Sequence, residues 1–307
     1  MTRADRTSVS GARYLDLQRK ARQTERPTDE LIQLYALECF LDRLTRSAFA
    51  NNLVLKGGVL LAALDARRPT RDIDLAATAL RNTEGEVLAV VRKIAGISLD
   101  DGVEFHPEQA AAEVIREEDE YSGIRVTLGG TLSRAKVRIH VDVNVGDPIW
   151  PEPQQVSFPR LLDGSLLVRG YPLEMVLAEK VATAVARGTA NTRWRDFVDL
   201  YTLAMRHEVD SATFRSSLER VAQYRKLTLV PLVSVLVGYS EIAQARWVAW
   251  LRKQRLETTI PAQFSTVLEY VVSFADPIIG DQVNREGIWD PAVAVLRAGS
   301  RRTPQSP

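Results

Sequence analysis

Two glycines and two aspartates, separated by a short stretch, carry the clearest chemical signal in this 307-residue chain. Gly57 and Gly58 follow an apolar run, so we expect a strand, a tight turn and a helix whose first amides can bind phosphate. Asp72 and Asp74 alternate with Ile73, which predicts a strand with both carboxylates on one face, roughly 6–7 Å apart. Carboxylates at that spacing can share Mg²⁺ with the phosphates of a substrate.

Each of these patterns alone is common in proteins. A Gly-Gly pair is usually only a turn, and an Asp-x-Asp pair is usually a solvated strand face or a turn. Here both occur together, with 13 residues between Gly58 and Asp72, enough for a short helix and a return into a neighbouring strand. The combination therefore predicts a site for a phosphate-bearing substrate and a divalent cation.

A third carboxylate lies on a strand that the sequence predicts over residues 136–145. Valine and isoleucine alternate there with polar residues, which is the period of a half-buried strand. Asp142 and His140 fall on the polar face, and residues 124–128 have the pattern of a neighbouring strand. Asp142 is thus either a metal ligand or a solvated or ion-paired strand residue, whereas we interpret His140 as an ordinary polar-face residue.

The second half of the chain places a lysine on an apolar helix face. Lys180 falls within the apolar stripe of a helix predicted over residues 173–187. Its ammonium must therefore snorkel, enter a buried ion pair or point into an anionic pocket. Asp196 and Asp199 share one face of the next predicted helix, where acids near the N-terminus also interact favourably with the helix dipole.

The elements around these residues predict an α+β fold, with a small mixed-sheet domain followed by a mostly helical bundle. The other expected elements are a helix at 29–44 with Thr28 as N-cap, strands at 53–55 and 72–75, and helices at 59–65, 83–95, 194–206, 240–255 and 262–275. Prolines and charge divide the chain into a mobile basic N-terminal segment (1–27), an α/β core (28–150), a proline-rich linker (151–172), a helical domain (173–298) and a disordered tail (299–307). The N-terminal segment is alternatively a nucleic-acid contact arm.

Composition restricts the classes of function. With 45% hydrophobic and 26% charged residues the chain can bury a globular core, and a single cysteine, Cys39, excludes a disulfide-stapled scaffold. Forty basic and 39 acidic residues give a net charge of +1, so bulk charge does not indicate nucleic-acid binding. Apolar runs are too short to cross a bilayer and the N-terminus has no apolar signal region, so we expect a cytoplasmic protein with no membrane partner.

The two blocks of residues together resemble a known family. Leu55-Lys56-Gly57-Gly58, followed by Arg71-Asp72-Ile73-Asp74-Leu75, is similar to the signature of the DNA polymerase β-like nucleotidyltransferase superfamily, and to its AbiEii/AbiGii toxin branch, which includes the MenT toxins. Glu179-Lys180 and Arg195-Asp196-Phe197-Val198-Asp199-Leu200-Tyr201 resemble the lysine motif and the Arg-Asp-x-x-Asp-hydrophobic-Tyr motif of that branch. The resemblance covers roughly residues 30–206.

The resemblance implies a Mg²⁺-dependent nucleotidyltransferase with a nucleoside triphosphate as substrate. Asp72 and Asp74 would hold one or two metal ions, and Asp142 is an open third position. Lys180 and Asp196 would act from the helical domain, which completes the active site. The implied nucleotide and phosphate contacts are Lys56, Gly57, Gly58 and Arg71.

The resemblance also implies partners. Members of this branch are toxins of toxin–antitoxin pairs, and some MenT-like members add nucleotides to the 3′ end of tRNA, which blocks aminoacylation and translation. We therefore expect a tRNA acceptor and a cognate antitoxin. Arginines near the site in sequence would form the basic surface for tRNA, namely Arg67, Arg68, Arg187, Arg193 and Arg195. Two alternatives stay open, which are transfer to a protein or small-molecule hydroxyl, and a non-catalytic module that holds nucleotide without turnover.

Overall fold

The computed structural model describes residues 5–116, 122–280 and 287–298. The chain forms two compact units. The first comprises Met1–Asp147 and Pro153–Tyr171, and the second comprises Pro148–Glu152 and Pro172–Pro307. The predicted disordered tail, residues 299–307, and the first four residues of the predicted basic segment lie outside the described residues.

The first unit is built on an eight-stranded mixed sheet. Its strands are β1 (Leu53–Lys56), β2 (Asp72–Ala77), β3 (Val103–Phe105), β4 (Ala111–Arg116), β5 (Ser122–Leu132), β6 (Ala135–Val145), β7 (Gln154–Pro159) and β8 (Ser165–Gly170). Seven strands lie in the order β3-β5-β6-β2-β1-β8-β7, and β4 pairs with β5. β2 is parallel to β6 and β1 is parallel to β8, while the other pairs are antiparallel. The predicted α+β class is confirmed.

Helices of the first unit pack on the apolar face of this sheet. They are α1 (Val9–Gln23), α2 (Thr28–Thr45), α3 (Gly57–Leu60) and α4 (Glu84–Ala95), with 3₁₀ turns at Leu61–Leu64 and Pro107–Gln109. The contacts of α2 reach β6 and those of α4 reach β4 and β5. α2 begins at Thr28 with Pro27 in the capping position, so Thr28 is the first helical residue and not the N-cap.

The alternation predicted for β6 is confirmed. Val137, Ile139, Val141 and Val143 are buried on one face, and the polar residues between them lie on the other. β5 pairs with β6 from Ile124 to Leu132, as expected for neighbouring strands. The polar face of these two strands is therefore the face on which functional side chains can lie.

The basic N-terminal segment is folded where the structure describes it. α1 follows Ser8, whose hydroxyl accepts a hydrogen bond from a first-turn amide. Tyr14, Leu17 and Ala21, spaced by three and four residues, are buried on one face. The structure thus corrects the expectation of a mobile segment, because this short apolar stripe packs despite the many arginines around it.

Residues 151–172, expected to be a linker, contain the hairpin of β7 and β8. β8 pairs with β1 through Gly170 and Leu55, so the hairpin extends the sheet. Pro159 ends β7. Because β7 is an edge strand, proline can stand there without removing a hydrogen bond between strands. Pro159 therefore marks the end of a strand, and the expectation of a linker is corrected.

The second unit is mostly helical. Its helices are α5 (Leu173–Arg187), α6 (Trp194–Arg206), α7 (Ser211–Tyr224), α8 (Leu232–Val235), α9 (Tyr239–Gln254) and α10 (Phe264–Ile279), and its small sheet has the strands β9 (Val209–Asp210), β10 (Gly287–Asp290) and β11 (Val295–Ala298). The predicted bounds of α5 and α6 are confirmed at both ends. Trp247 is fully buried and stacks on Phe264, so it packs in the core. Within the described ranges, no helix combines the length and the apolar character that crossing a membrane requires.

Candidate active site

Four charged residues stand in register across four neighbouring strands of the first unit. Lys56 of β1 is opposite Asp74 of β2, and Asp74 is opposite Asp142 of β6. Asp142 is in turn opposite Arg125 of β5. Opposite residues share a face, and neighbouring strands lie about 4.8 Å apart. We call these four residues the charge row, because they form a line of charges in the order plus, minus, minus, plus.

Asp72 lies two residues before the charge row, on the same face of β2. It is opposite His140 of β6, and His140 Nδ1 is 3.0 Å from the hydroxyl oxygen of Thr127 on β5. Ile73 is fully buried, while Asp72 and Asp74 are partly accessible. The predicted geometry of the Asp-Ile-Asp segment is therefore confirmed.

The glycine turn lies directly against Asp74. Gly57 follows β1 with a φ of +64°, a left-handed conformation that favours glycine. A Cβ built on Gly57 would overlap the carboxylate of Asp74. Glycine is thus required here for the backbone conformation and because the Asp74 carboxylate occupies the space of a Cβ.

Arg68 covers the second glycine of the turn. A Cβ on Gly58 would lie 3.0 Å from Nη1 of Arg68. The guanidinium of Arg68 also lowers the pKa of Asp74 through its positive charge. A cleft lined by Gly58, Arg68 and Thr70 has room for about one water molecule. Arg68 therefore places a cation at the turn, a position that the sequence motif did not indicate.

Burial raises the pKa of the Asp74 carboxyl to about 6. The negative charges of Asp142 and Asp72 act in the same direction, and the positive charges of Lys56 and Arg68 oppose them. Three carboxylates thus crowd one part of the sheet, and the nearby cations offset them incompletely. Hard oxygen donors with excess negative charge suit a divalent cation.

Arg125 holds Asp142 in a bidentate ion pair. The carboxylate of Asp142 accepts hydrogen bonds from Nε at 2.8 Å and from Nη2 at 2.7 Å, so both of its oxygens are engaged. Among the described residues, no group of three or more His, Cys, Asp or Glu side chains is arranged to hold a metal ion. Asp72 and Asp74 have the donor chemistry for Mg²⁺, which commonly takes one or two protein carboxylates together with substrate phosphates.

The two predicted phosphate contacts with long side chains have different surroundings. The ammonium of Lys56 is 2.5 Å from Asp147 and 5.7 Å from the ring centroid of Tyr171. Lys56 is nearly buried, so it acts on Asp74 as a fixed positive charge. Arg71 is exposed beside Asp72. A phosphate-binding role for either residue stays a prediction.

Lys180 lies in a buried cluster of the second unit. Its ammonium donates hydrogen bonds to Asp196, at 2.8 Å, and to Asp199, at 2.7 Å. Arg193 lies 3.0 Å from the other carboxylate oxygen of Asp196. Since Lys180 belongs to α5 and both aspartates belong to α6, the cluster ties these helices together. The buried ion pair, one of the alternatives open from the sequence, is present, and a catalytic role for Lys180 and Asp196 stays a prediction.

The arginines expected to contact tRNA differ in accessibility. Arg67 donates to Glu38 at 2.8 Å and to the carbonyl of Pro159, and its guanidinium lies over the ring of Phe158. It is therefore held within the first unit. Arg195, by contrast, is exposed on α6.

Sequence reasoning missed Arg125 and Asp147 as members of the site. Arg125 sits between apolar residues on a predicted strand, so its place on a polar face was visible, but its pairing with Asp142 depends on strand register. Asp147 follows β6 by two residues in a segment without periodicity. No local signal connects Asp147 with Lys56, which lies 91 positions earlier in the chain.

We expect Gly57→Ala to destabilise the first unit and to displace Asp74. The left-handed backbone costs a residue with a Cβ about 1–2 kcal/mol, and the overlap with the Asp74 carboxylate adds to this cost. Urea unfolding measures the loss of stability, and titration with nucleotide in the presence of Mg²⁺ measures the loss of binding. Gly85→Ala is the control, because a Cβ there meets no atom within 4 Å and alanine favours the helix. Equal stability of the two variants would contradict the proposed requirement for glycine.

We expect Lys180→Met to destabilise the second unit by about 3–5 kcal/mol, since it leaves two buried carboxylates without their shared cation. Chemical denaturation of the purified variant measures this change. Lys253→Met is the control, because Lys253 is exposed on α9 and its replacement should change stability by less than about 0.5 kcal/mol. Wild-type stability of Lys180→Met would show that the cluster does not depend on the lysine.

Comparison with known proteins places the chain in a family. A family model described as nucleotidyl transferase AbiEii toxin, type IV TA system, matches residues 39–270. A presumed nucleotidyltransferase from Helicobacter pylori has a TM-score of 0.46 at 14% identity, covering 79% of this chain and 92% of its own. JHP933 from the same organism has a TM-score of 0.45 at 14% identity, covering 77% of this chain and 87% of its own. No curated protein sequence matches the chain.

These structural likenesses are distant, and the assignment depends on the family match. The matched residues include the glycine turn, the carboxylates of the first unit and the lysine cluster of the second unit. They also make up well over half of the chain. The chain therefore belongs to the AbiEii family of nucleotidyl transferase toxins of type IV toxin–antitoxin systems, and it is a nucleotidyltransferase.

Proposed function

We propose that this nucleotidyltransferase transfers a nucleoside monophosphate to the 3′ hydroxyl of tRNA in a reaction that requires Mg²⁺. The family supplies the reaction class, the triphosphate substrate and an antitoxin partner. The observation that carries the proposal is the pair of adjacent carboxylates, Asp74 and Asp142, with Asp72 on the same face and the Gly57 turn beside them. A blocked tRNA 3′ end cannot be aminoacylated, so translation in the cytoplasm would stop.

Asp72 and Asp74 would hold Mg²⁺ in this reaction. The neighbouring negative charges of Asp142 and Asp72 would attract a cation to Asp74. The bound ion would activate the acceptor hydroxyl and neutralise charge on the triphosphate. Asp142 contributes a fixed negative charge next to Asp74, and its part as a third ligand stays a prediction.

The glycine turn and Arg68 would bind the triphosphate. A residue without a side chain at Gly57 lets a phosphate chain approach the backbone next to Asp74. Arg68 would offset the charge of the departing pyrophosphate. In the transfer, the acceptor oxygen bonds to the α-phosphorus, the bond from that phosphorus to the pyrophosphate oxygen breaks, and the hydroxyl proton is released to solvent.

The proposed catalytic roles of Lys180 and Asp196 come from their resemblance to the motifs of the family. Two carboxylates hold the Lys180 ammonium in one position, and a cation fixed in this way can stabilise phosphate charge without reorganising. Asp196 would orient the lysine through their 2.8 Å hydrogen bond. Because the same cluster supports the fold, activities of Lys180 variants need comparison at equal folded fractions.

The test is label transfer with an Asp72→Asn variant, which removes one carboxylate and keeps the side-chain shape. Wild-type protein is incubated with total tRNA, Mg²⁺ and each α-³²P-labelled nucleoside triphosphate separately. We expect label on tRNA from the wild type and a rate at least about 100-fold lower from the variant, because even changes one shell away from a metal cost 10–100-fold. Asp100→Asn, an exposed carboxylate of the same unit, should keep the wild-type rate.

Three other outcomes of this experiment would change the proposal. Label on protein or on a small molecule instead of tRNA would transfer the proposal to that acceptor. Nucleotide binding without release of pyrophosphate would support the non-catalytic module. A wild-type rate from Asp72→Asn would remove Asp72 from the metal site.

A further inference from the structure

The open face of β5 and β6 continues beyond the carboxylates as a basic strip. Lys136 and Arg138 share the face of His140 and Asp142, because side chains repeat every second residue along β6. Both Lys136 and Arg138 are exposed, while Val137 between them is buried. The strip formed by Arg138 and Lys136 therefore starts next to His140, which is opposite Asp72. It continues along β6 away from the carboxylates.

The floor of this strip is flat. Gly129 of β5 is opposite Arg138, and a Cβ built on Gly129 would meet no atom within 4 Å. Thr131 is opposite Lys136 and is the next residue of β5 on this face. Small side chains beside two exposed cations leave room for an extended chain to lie along β6.

Lys136 and Arg138 differ from the other cations around the carboxylates. Lys56 is paired with Asp147, and Arg125 is paired with Asp142. No ion pair is formed by the Lys136 or Arg138 side chains within the described parts of the chain.

Among the described strands, the residues directly opposite Lys136 and Arg138 are Thr131 and Gly129, so no acid is paired in register with either cation. Glu104 of β3 is opposite Thr131, which places it two strands, or about 10 Å, from Lys136. The cations of the strip are therefore available to an anionic partner.

We propose that the backbone of the acceptor RNA lies along β6, with its phosphates on Arg138 and Lys136 and its 3′ end at Asp72 and Asp74. Two cations at the strand repeat, roughly 6–7 Å apart, match a chain that carries one phosphate per nucleotide. This inference rests on the proposed function, and it adds the surface that holds the acceptor. The nucleotide phosphates belong on the other side of the carboxylates, where β1 leads into the Gly57 turn.

Contacts to phosphate alone position a strand without reading its sequence. The strip would therefore bind RNA 3′ ends of different sequence with similar affinity. It would also make acceptor binding depend on salt, since each neutralised phosphate releases a counterion.

The experiment compares the double variant Lys136→Glu/Arg138→Glu with wild-type protein. Binding of tRNA is titrated at several salt concentrations, and KM is measured separately for tRNA and for the nucleoside triphosphate. We expect the slope of log affinity against log salt to fall by about 2, one unit for each lost phosphate contact. KM for tRNA should rise at least about tenfold, while KM for the triphosphate stays unchanged.

The control is Arg81→Glu/Lys93→Glu, which makes the same change in net charge. Arg81 is 87% exposed in its side chain, and Lys93 is exposed on α4, which packs on the apolar side of the sheet. This control should keep the wild-type salt slope and both KM values. Circular dichroism and urea unfolding verify that all variants are folded.

Three outcomes would overturn the inference, and they separate it from the proposed function. If wild type labels tRNA and the double variant keeps its salt slope and KM, the strip is not the acceptor surface although the function stands. If the double variant instead raises KM for the triphosphate, the strip binds nucleotide. If wild-type protein neither binds nor labels tRNA, the inference and the proposed acceptor fail together.

Discussion

The register of β1, β2, β6 and β5 is the constraint on which the site depends. Because side chains alternate along a strand, a slip of one residue in β2 would bury Asp72 and Asp74 and expose Ile73. Ile73, Leu75 and Val141 are fully buried on the opposite face. Burial of each such side chain contributes roughly 1.5–3 kcal/mol. The apolar core therefore holds the carboxylates in place, and the polar side chains need not attract one another for the site to form.

The same register forces two carboxylates together, at a cost that the surrounding cations reduce. Asp74 and Asp142 are opposite each other, and like charges in opposite positions destabilise a sheet. Arg125 engages both oxygens of Asp142, whereas Lys56 is shared between Asp74 and Asp147. Burial, followed by the negative charge of Asp142, raises the pKa of Asp74, and the charge of Lys56 opposes this only in part. A divalent cation bound at Asp74 would supply the missing positive charge.

Local periodicity predicted the parts of the structure that depend on short stretches of sequence. β6, α5 and α6 follow from periods of two and 3.6 residues, and the Asp72-Ile73-Asp74 face follows from strand alternation. Features that depend on distant partners could not be predicted in this way. The pair of Arg125 with Asp142 requires the β5–β6 register.

The two corrected segments have similar explanations. α1 carries only a sparse apolar stripe, and its burial depends on partners elsewhere in the chain. The prolines of residues 151–172 predict a linker, but proline is tolerated in β7 because β7 is an edge strand. In both cases the structure depends on contacts with residues that are distant in the sequence.

The sheet also explains how one set of carboxylates can serve two phosphate-bearing substrates. On the β1 side, the backbone itself approaches Asp74 through Gly57, so this side suits a compact, highly charged triphosphate. On the β6 side, exposed cations follow one another along a strand, so this side suits an extended chain. Substitutions in the glycine turn would then change nucleotide binding, and substitutions at Arg138 would change acceptor binding. Separation of the two surfaces by the Asp72-Ile73-Asp74 strand would allow the acceptor to vary within such a family while the chemistry at the carboxylates stays the same.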